Sequence, residues 1–357
     1  MRKRQALLYG TAVIACGLCA AGAKADAVTG TFFFTTFSPD TIGGFTGNVW
    51  SDTFNFNGST FTLGTPTGIA NTVGADGLLF LPDGNLAIAG QGNDHVSEVN
   101  TTSHAIGPVV DAGTGSYHMA LNAVTAPTLL YNMWNGPGAG GSTAISALPI
   151  QPGSPSLSVA GTPYTVSCAA GHAGCSTDVR GVVFDPNNGK FYYGTAGDGL
   201  TNGDFGTVAF DNTLHTATLT PLVSGTAAAH GVSFDPFTGD IIANSATEID
   251  QRDPTTGAIL SSITFPGTQF DQAAEDGHGH LFVASNSGQL AFIDYDATGL
   301  IGAAGNFSAD PFLAGSLDDI APLSGSGAPT TPEPGSLALL ATSLLGFGLL
   351  GRRRNRV

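Results

Sequence analysis

Residues 181–195 read GVVFDPNNGKFYYGT and residues 231–245 read GVSFDPFTGDIIANS. Each holds a short apolar run ending at Phe, a turn of Pro, Asp, Asn and Gly, and a second apolar run. Pro fixes one backbone angle and Gly accepts positive φ, so each stretch predicts two strands joined by a tight reversal. Related wording occurs at GLLFLPDGNLAIAG (77–90) and AAEDGHGHLFVASNS (273–287), with weaker copies at HMALNAVTAPTLLYNMWN (118–135) and DDIAPL (318–323).

A further turn signal closes several of these units: Asn100-Thr-Thr-Ser-His104, Asp253-Pro-Thr-Thr-Gly257 and Asp294-Tyr-Asp-Ala-Thr-Gly299. Each unit therefore holds about four strands. Phe184 and Phe234 are 50 residues apart, and Phe234 and Glu275 are 41 apart. A period of about 40–50 residues with four strands per unit predicts an all-β chain of propeller blades. A β-helix or a pair of β-sandwiches is the alternative, and that period argues against both. About six blades are expected over 26–323, with 149–178 as an inserted loop. The last unit supplies one strand, and GTFFFTTF with NVWSDTFNFNGSTFTL supplies its partners, so the chain ends would close the ring.

The two ends carry different signals. MRKR, the apolar run Ala6–Ala20 and the small-x-small site Ala23-Lys24-Ala25 make 1–25 a signal peptide. A lipoprotein signal ending before Cys16 is the rival reading. At the other end, TPEPGSLALLATSLLGFGLLGRRRNRV (331–357) joins Pro332-Glu333-Pro334, an apolar run over 337–351 and Arg352, Arg353, Arg354 and Arg356. The run has 15 residues, short of the ~20 that a helix needs to cross a hydrocarbon core. Residues 324–331, Ser/Gly/Pro/Thr-rich, read as a linker.

The order tripeptide, apolar helix, arginine cluster over 332–357 resembles the PEP-CTERM sorting signal. The resemblance implies export across the inner membrane of a Gram-negative bacterium after signal peptidase, and transient anchoring by the C-terminal helix. Processing by a membrane-embedded exosortase follows, then release to the cell surface or extracellular matrix, often beside exopolysaccharide. An ordinary single-span membrane anchor is the alternative. The repeat wording resembles the six-bladed propellers that include NHL-repeat and SMP-30/gluconolactonase-like proteins. That likeness concerns blade construction. Such lactonases hold a divalent ion with Glu, Asn and Asp, whereas here Glu98, Glu248 and Glu275 do not precede inner strands.

Removing both ends leaves Arg180, Lys190 and Arg252 as the only basic residues. They face 26 of the 27 acids, since only Glu333 departs, so the net charge moves from −16 to −23. Such a surface repels nucleic acid and attracts cations. Cys168 and Cys175, in a Gly/Ala-rich loop of an exported chain, are expected as a disulfide; a metal pair with His172 is the alternative.

In a propeller, ligands bind where the inner strands begin. The residues at those positions are Asp76, His118, Arg180, His230, Asp271 and Asp319, all ionisable. Together they would take calcium or another divalent cation, or do acid–base work; a merely wet channel mouth is the bland alternative. Asp198, Asn202 and Asp204 form a second calcium candidate, although Leu200 and Ala209 break the EF-hand pattern. His278 and His280 read as exposed turn histidines. No nucleophile elbow, HExxH or phosphate-binding glycine motif occurs. The expectation is therefore a binding or structural component of the envelope or matrix. A metal-dependent, lactonase-like hydrolase or lyase is the alternative.

Overall fold

The computed structural model describes residues 27–322, except 91–92, 114, 123–127, 134–144, 173, 196–202 and 228. The signal peptide (1–25), the linker (324–331) and the sorting segment with its expected helix (332–357) lie outside the described residues. No helix among the described residues is long and apolar enough to cross a membrane.

The described chain is all-β. Its first strands are β1 (Val28–Ile42), β2 (Phe45–Phe56), β3 (Phe61–Leu63) and β4 (Thr67–Ala70). A four-stranded antiparallel sheet follows: β5 (Leu78–Phe80), β6 (Leu86–Ala89), β7 (His95–Val99) and β8 (Ile106–Asp111). The next holds β9 (Met119–Asn122), β10 (Leu129–Met133), β11 (Ile145–Pro149) and β12 (Thr162–Cys168). Its neighbour holds β13 (Val179–Asp185), β14 (Lys190–Thr195), β15 (Gly203–Asp211) and β16 (Thr216–Thr226), and β12 pairs β16 in parallel. Two more antiparallel sheets are β17 (Gly231–Phe234), β18 (Ile241–Asn244), β19 (Glu248–Arg252), β20 (Ile259–Thr264), and β21 (Phe270–Glu275), β22 (His280–Ser285), β23 (Leu290–Asp294), β24 (Phe307–Ala309). The last strand, β25 (Ile320–Pro322), pairs antiparallel with β1, setting Phe33 opposite Ala321. Residues 149–178, expected as an inserted loop, contain β12 and so supply a sheet strand.

The quoted repeats earn their turns through the Asp-Pro-x-x-Gly pattern. Asp185 Oδ1 accepts the Asn187 N–H at 2.8 Å, and its carbonyl accepts the Gly189 N–H at 2.9 Å. Gly189 sits at φ 71°, a conformation that a Cβ disfavours. Asp235 repeats this with Phe237 at 2.9 Å and Gly239 at 2.8 Å.

Most strands are apolar on both faces because each sheet is packed between two others. Phe32 and Phe34 face the β21–β24 sheet beside Phe282 and Phe292, while Phe33 points the other way toward Leu78 and Ile88. Successive side chains leave a strand on opposite faces, so the run FFF serves two interfaces at once. Leu281 and Phe282 divide in the same way, between Ile242 on one side and Phe32 on the other. The remaining interfaces are filled by Leu79 with Leu148, Tyr131 with Phe191, and Tyr192 with Ile241. The first strands of the sheets also lie side by side: β5 beside β9, β9 beside β13, β13 beside β17, β17 beside β21, and β25 beside both β21 and β5.

Candidate functional site

The polar end of these first strands is built from two devices. One is the glycine after an ionisable residue. A Cβ on Gly77 would lie 2.2 Å from the Tyr117 carbonyl oxygen, and one on Gly231 would lie 2.4 Å from that of Asp271. Without side chains there, the starts of neighbouring first strands approach backbone to backbone. The other device is Thr35, fully buried on β1. Its hydroxyl donates to the Asp76 carbonyl at 2.7 Å and accepts the Asp319 N–H at 3.1 Å.

Around this frame the side chains meet. His118 Nδ1 lies 3.0 Å from the Arg180 carbonyl oxygen. A carbonyl only accepts, so Nδ1 carries the proton and Nε2 is turned inward. Nε2 sits 2.9 Å from Asp271 Oδ1 and 3.7 Å from Asp76 Oδ1. His230 Nδ1 lies 3.2 Å from the same Asp271 oxygen and 3.3 Å from the Phe270 carbonyl. By the same logic His230 donates from Nδ1, which leaves Nε2 to accept from the Tyr117 hydroxyl.

Asp319 is held by the backbone: Oδ2 accepts the Leu78 N–H at 2.6 Å and Oδ1 the Ile320 N–H at 2.7 Å. Arg180 pairs with Asp178 at 3.6 Å, and its charge reaches His230 and Tyr117. All six residues expected at strand starts thus belong to one neighbourhood. Asp76, His118 and Asp271 are fully enclosed, whereas the side chains of His230 and Arg180 are 23% and 29% exposed and form the solvent-facing lip.

The electrostatics follow from burial. Desolvation works against charge on His118, but the hydrogen bond and charge of Asp271 outweigh it and raise its pKa. Desolvation wins at His230, with His118 and Arg180 adding repulsion, so its pKa falls despite Asp271. Burial pushes Asp319 up to about 7, with the His118 charge opposing. Asp318 is driven well up by burial and by the charges of Asp271 and Asp319, and the Tyr117 phenol by burial and Asp271. Burial and neighbouring charges thus split the two imidazoles, favouring the charged form at His118 and the neutral form at His230.

Below the cluster the first strands line a cavity of about 390 Å³, with Asp319 near one end and Ser233 and Glu275 toward the other. Ser233 Oγ donates to Glu275 Oε1, whose carboxyl burial drives well above its ordinary pKa. Tyr117 and Asp318 escaped sequence reading. Each neighbours a chosen residue, and strand alternation gave no reason to expect both members of Tyr117-His118 or Asp318-Asp319 to matter.

Other expectations fare differently. Asp198 and Asn202 lie outside the described residues. Asp204 is buried and accepts the Ser176 N–H at 2.7 Å, so its carboxylate serves the cysteine loop. Cys168 and Cys175 are disulfide-bonded, with Cα atoms 6.1 Å apart. His278 is exposed, but His280 is buried, contrary to its reading as an exposed turn histidine. Its Nδ1 lies 2.6 Å from Asp276 Oδ2 and its ring packs on Phe56 and Phe292, because position 280 opens β22.

A PEP-CTERM protein-sorting motif matches residues 330–354. No curated protein matches the chain. Among solved structures, a chain of a nidogen/laminin complex is similar at TM-score 0.57 and 12% identity, over 84% of this chain and 100% of that one. The PQQ-bound aldose sugar dehydrogenase from Streptomyces coelicolor is similar at TM-score 0.47 and 14% identity, over 85% and 91%. The nidogen/laminin likeness extends to the all-β, propeller-like fold, and the sorting motif marks an exported protein that an exosortase processes.

Proposed function

We propose that residues 26–323 form a six-bladed β-propeller that acts as a binding component of the cell envelope or extracellular matrix. Its ligand site would be the lip of His230 and Arg180 above the Asp76–His118–Asp271 cluster. The ring is supported by the six groups of strands, by the side-by-side order of β5, β9, β13, β17, β21 and β25, and by the β25–β1 pairing. The function rests on one observation: ionisable side chains from separate sheets converge where two of them still reach solvent. Imidazole, guanidinium and carboxyl groups in one lip offer donors and acceptors in both senses, which suits the hydroxyl-rich end of a polysaccharide.

Calorimetric titration of the exported protein with neutral and acidic oligosaccharides of the matrix tests this reading. Binding that weakens at least tenfold in Arg180→Ala and His230→Ala is the expected result. Absence of binding, or binding indifferent to both changes, overturns it. A second reading, acid–base hydrolysis or lysis at the same lip, draws on the Tyr117–His230 hydrogen bond. Turnover of lactones or esters by the wild type and its loss in Tyr117→Phe would favour that reading.

A further inference from the structure

We propose that Asp76, His118 and Asp271 bind one divalent transition-metal ion of the zinc class at the floor of the lip. The inference rests on the reading of this lip as the binding site and adds to it the ion.

One ligand atom from each residue lies within 4.8 Å of the other two. Metal–ligand bonds of about 2.0–2.1 Å in a tetrahedral site set neighbouring ligand atoms roughly 3.3 Å apart. The His118 Nε2 distances of 2.9 Å to Asp271 and 3.7 Å to Asp76 bracket that edge. Small side-chain adjustments, with no backbone movement, would bring all three atoms onto one ion.

The surroundings select a ligand role for His118. Its Nδ1 is committed to the Arg180 carbonyl at 3.0 Å. Metal-binding histidines are oriented in this way, one nitrogen donating to a carbonyl while the other faces the ion. Charge points the same way. The carboxyls of Asp76, Asp271, Asp318 and Asp319 are gathered in the interior, and Asp318 Oδ2 is buried there without a hydrogen-bond partner among the described residues. Against them stand two imidazoles and the partly exposed Arg180. Carboxyls gathered so closely in the interior repel one another when ionised, and a cation relieves that repulsion.

The donor set separates the candidate ions. Calcium takes about six to eight oxygens in an open cage. One imidazole nitrogen with two carboxylate oxygens, in an enclosed position, instead suits zinc or manganese and leaves a coordination position. His230, 3.2 Å from the same Asp271 oxygen, and the buried Tyr117 hydroxyl bonded to it adjoin the trio.

The test uses the exported protein, stripped with chelator and titrated with zinc, manganese and calcium chlorides. Metal content is read by mass spectrometry and melting temperature alongside. One equivalent of zinc or manganese, with a raised melting temperature, is expected for the wild type. His118→Ala and the near-isosteric Asp76→Asn should each weaken binding at least 100-fold and abolish the thermal shift. Should His118→Ala fail to fold, Asp76→Asn alone decides. No stoichiometric metal in the wild type, full binding in Asp76→Asn, or preference for calcium overturns the proposal. Sugar binding by a wild type that takes up no stoichiometric metal would overturn the ion while leaving the binding function intact. Metal binding without any sugar affinity would do the reverse.

Discussion

His118 Nε2 meets Asp271 Oδ1 at 2.9 Å across a sequence separation of 153 residues. Both groups are enclosed, so removing one leaves the other without its nearest ionic partner. Breaking a buried pair by removing one partner costs about 3–5 kcal/mol. Asp271→Ala should therefore lower stability by that order in chemical denaturation. Adding His118→Ala to it should cost far less than the His118→Ala change alone, because the partner has already gone. Strict additivity of the two losses would show that the pair is not energetically linked.

The glycine that brings these residues together should resist substitution for a reason of space. Gly231 carries no positive φ, yet an added Cβ would lie 2.0 Å from Gln272 Oε1 and 2.4 Å from the Asp271 carbonyl oxygen. The carboxamide can swing away, but the carbonyl is backbone. Overpacking of this kind costs about 1–3 kcal/mol. Gly231→Ala should lose that much stability and shift the His230 and His118 imidazole resonances. Unchanged resonances would mean that the first strands do not need this approach.

The fold was legible where the chemistry was local. Asp185 with Gly189 and Asp235 with Gly239 announce their turns, and the apolar runs between turns announce the strands. The site was legible by position, since each ionisable residue stands at the start of a strand that a repeat pattern locates. Legibility failed where partners come from elsewhere in the chain. His280 read as exposed because its turn is polar, but Asp276, Phe56 and Phe292 enclose it. Residues 162–168 looked irregular because the Pro- and Ser-rich stretch before them masks β12, which pairs with β11 and with β16, a strand from the next sheet.

The disulfide should matter for local stability and leave the lip alone. Cys168 and Cys175 are seven positions apart. Closing so short a loop restricts the unfolded chain by roughly 2–3 kcal/mol in the chain-entropy picture. The double change Cys168→Ser/Cys175→Ser should lower the denaturation midpoint accordingly, and oligosaccharide or metal affinity should stay within a factor of two. A loss of affinity would tie the cysteine loop to the site.

Asp235 sits at the far end of β17 from His230, and its titration should be visible in stability. Its carboxylate accepts from Phe237 N–H at 2.9 Å and from Thr238 Oγ1 at 2.6 Å, but burial dominates and pushes its pKa up to about 6. An unfolded Asp titrates near about 4. Between those values the folded protein holds a proton that the unfolded chain has released. Stability contributed by this group is thus full below pH ~4 and falls as pH rises toward ~6; above that the penalty is complete, at roughly 3 kcal/mol. Asn at this position keeps the Oδ1 acceptor for Phe237 and cannot ionise. Asp235→Asn should therefore be more stable than the wild type at pH 8 by an amount of that order, with the advantage vanishing near pH 4. Paired denaturation curves across this range measure it, and a pH-independent difference would mean that the carboxyl ionises as easily in the fold as out of it.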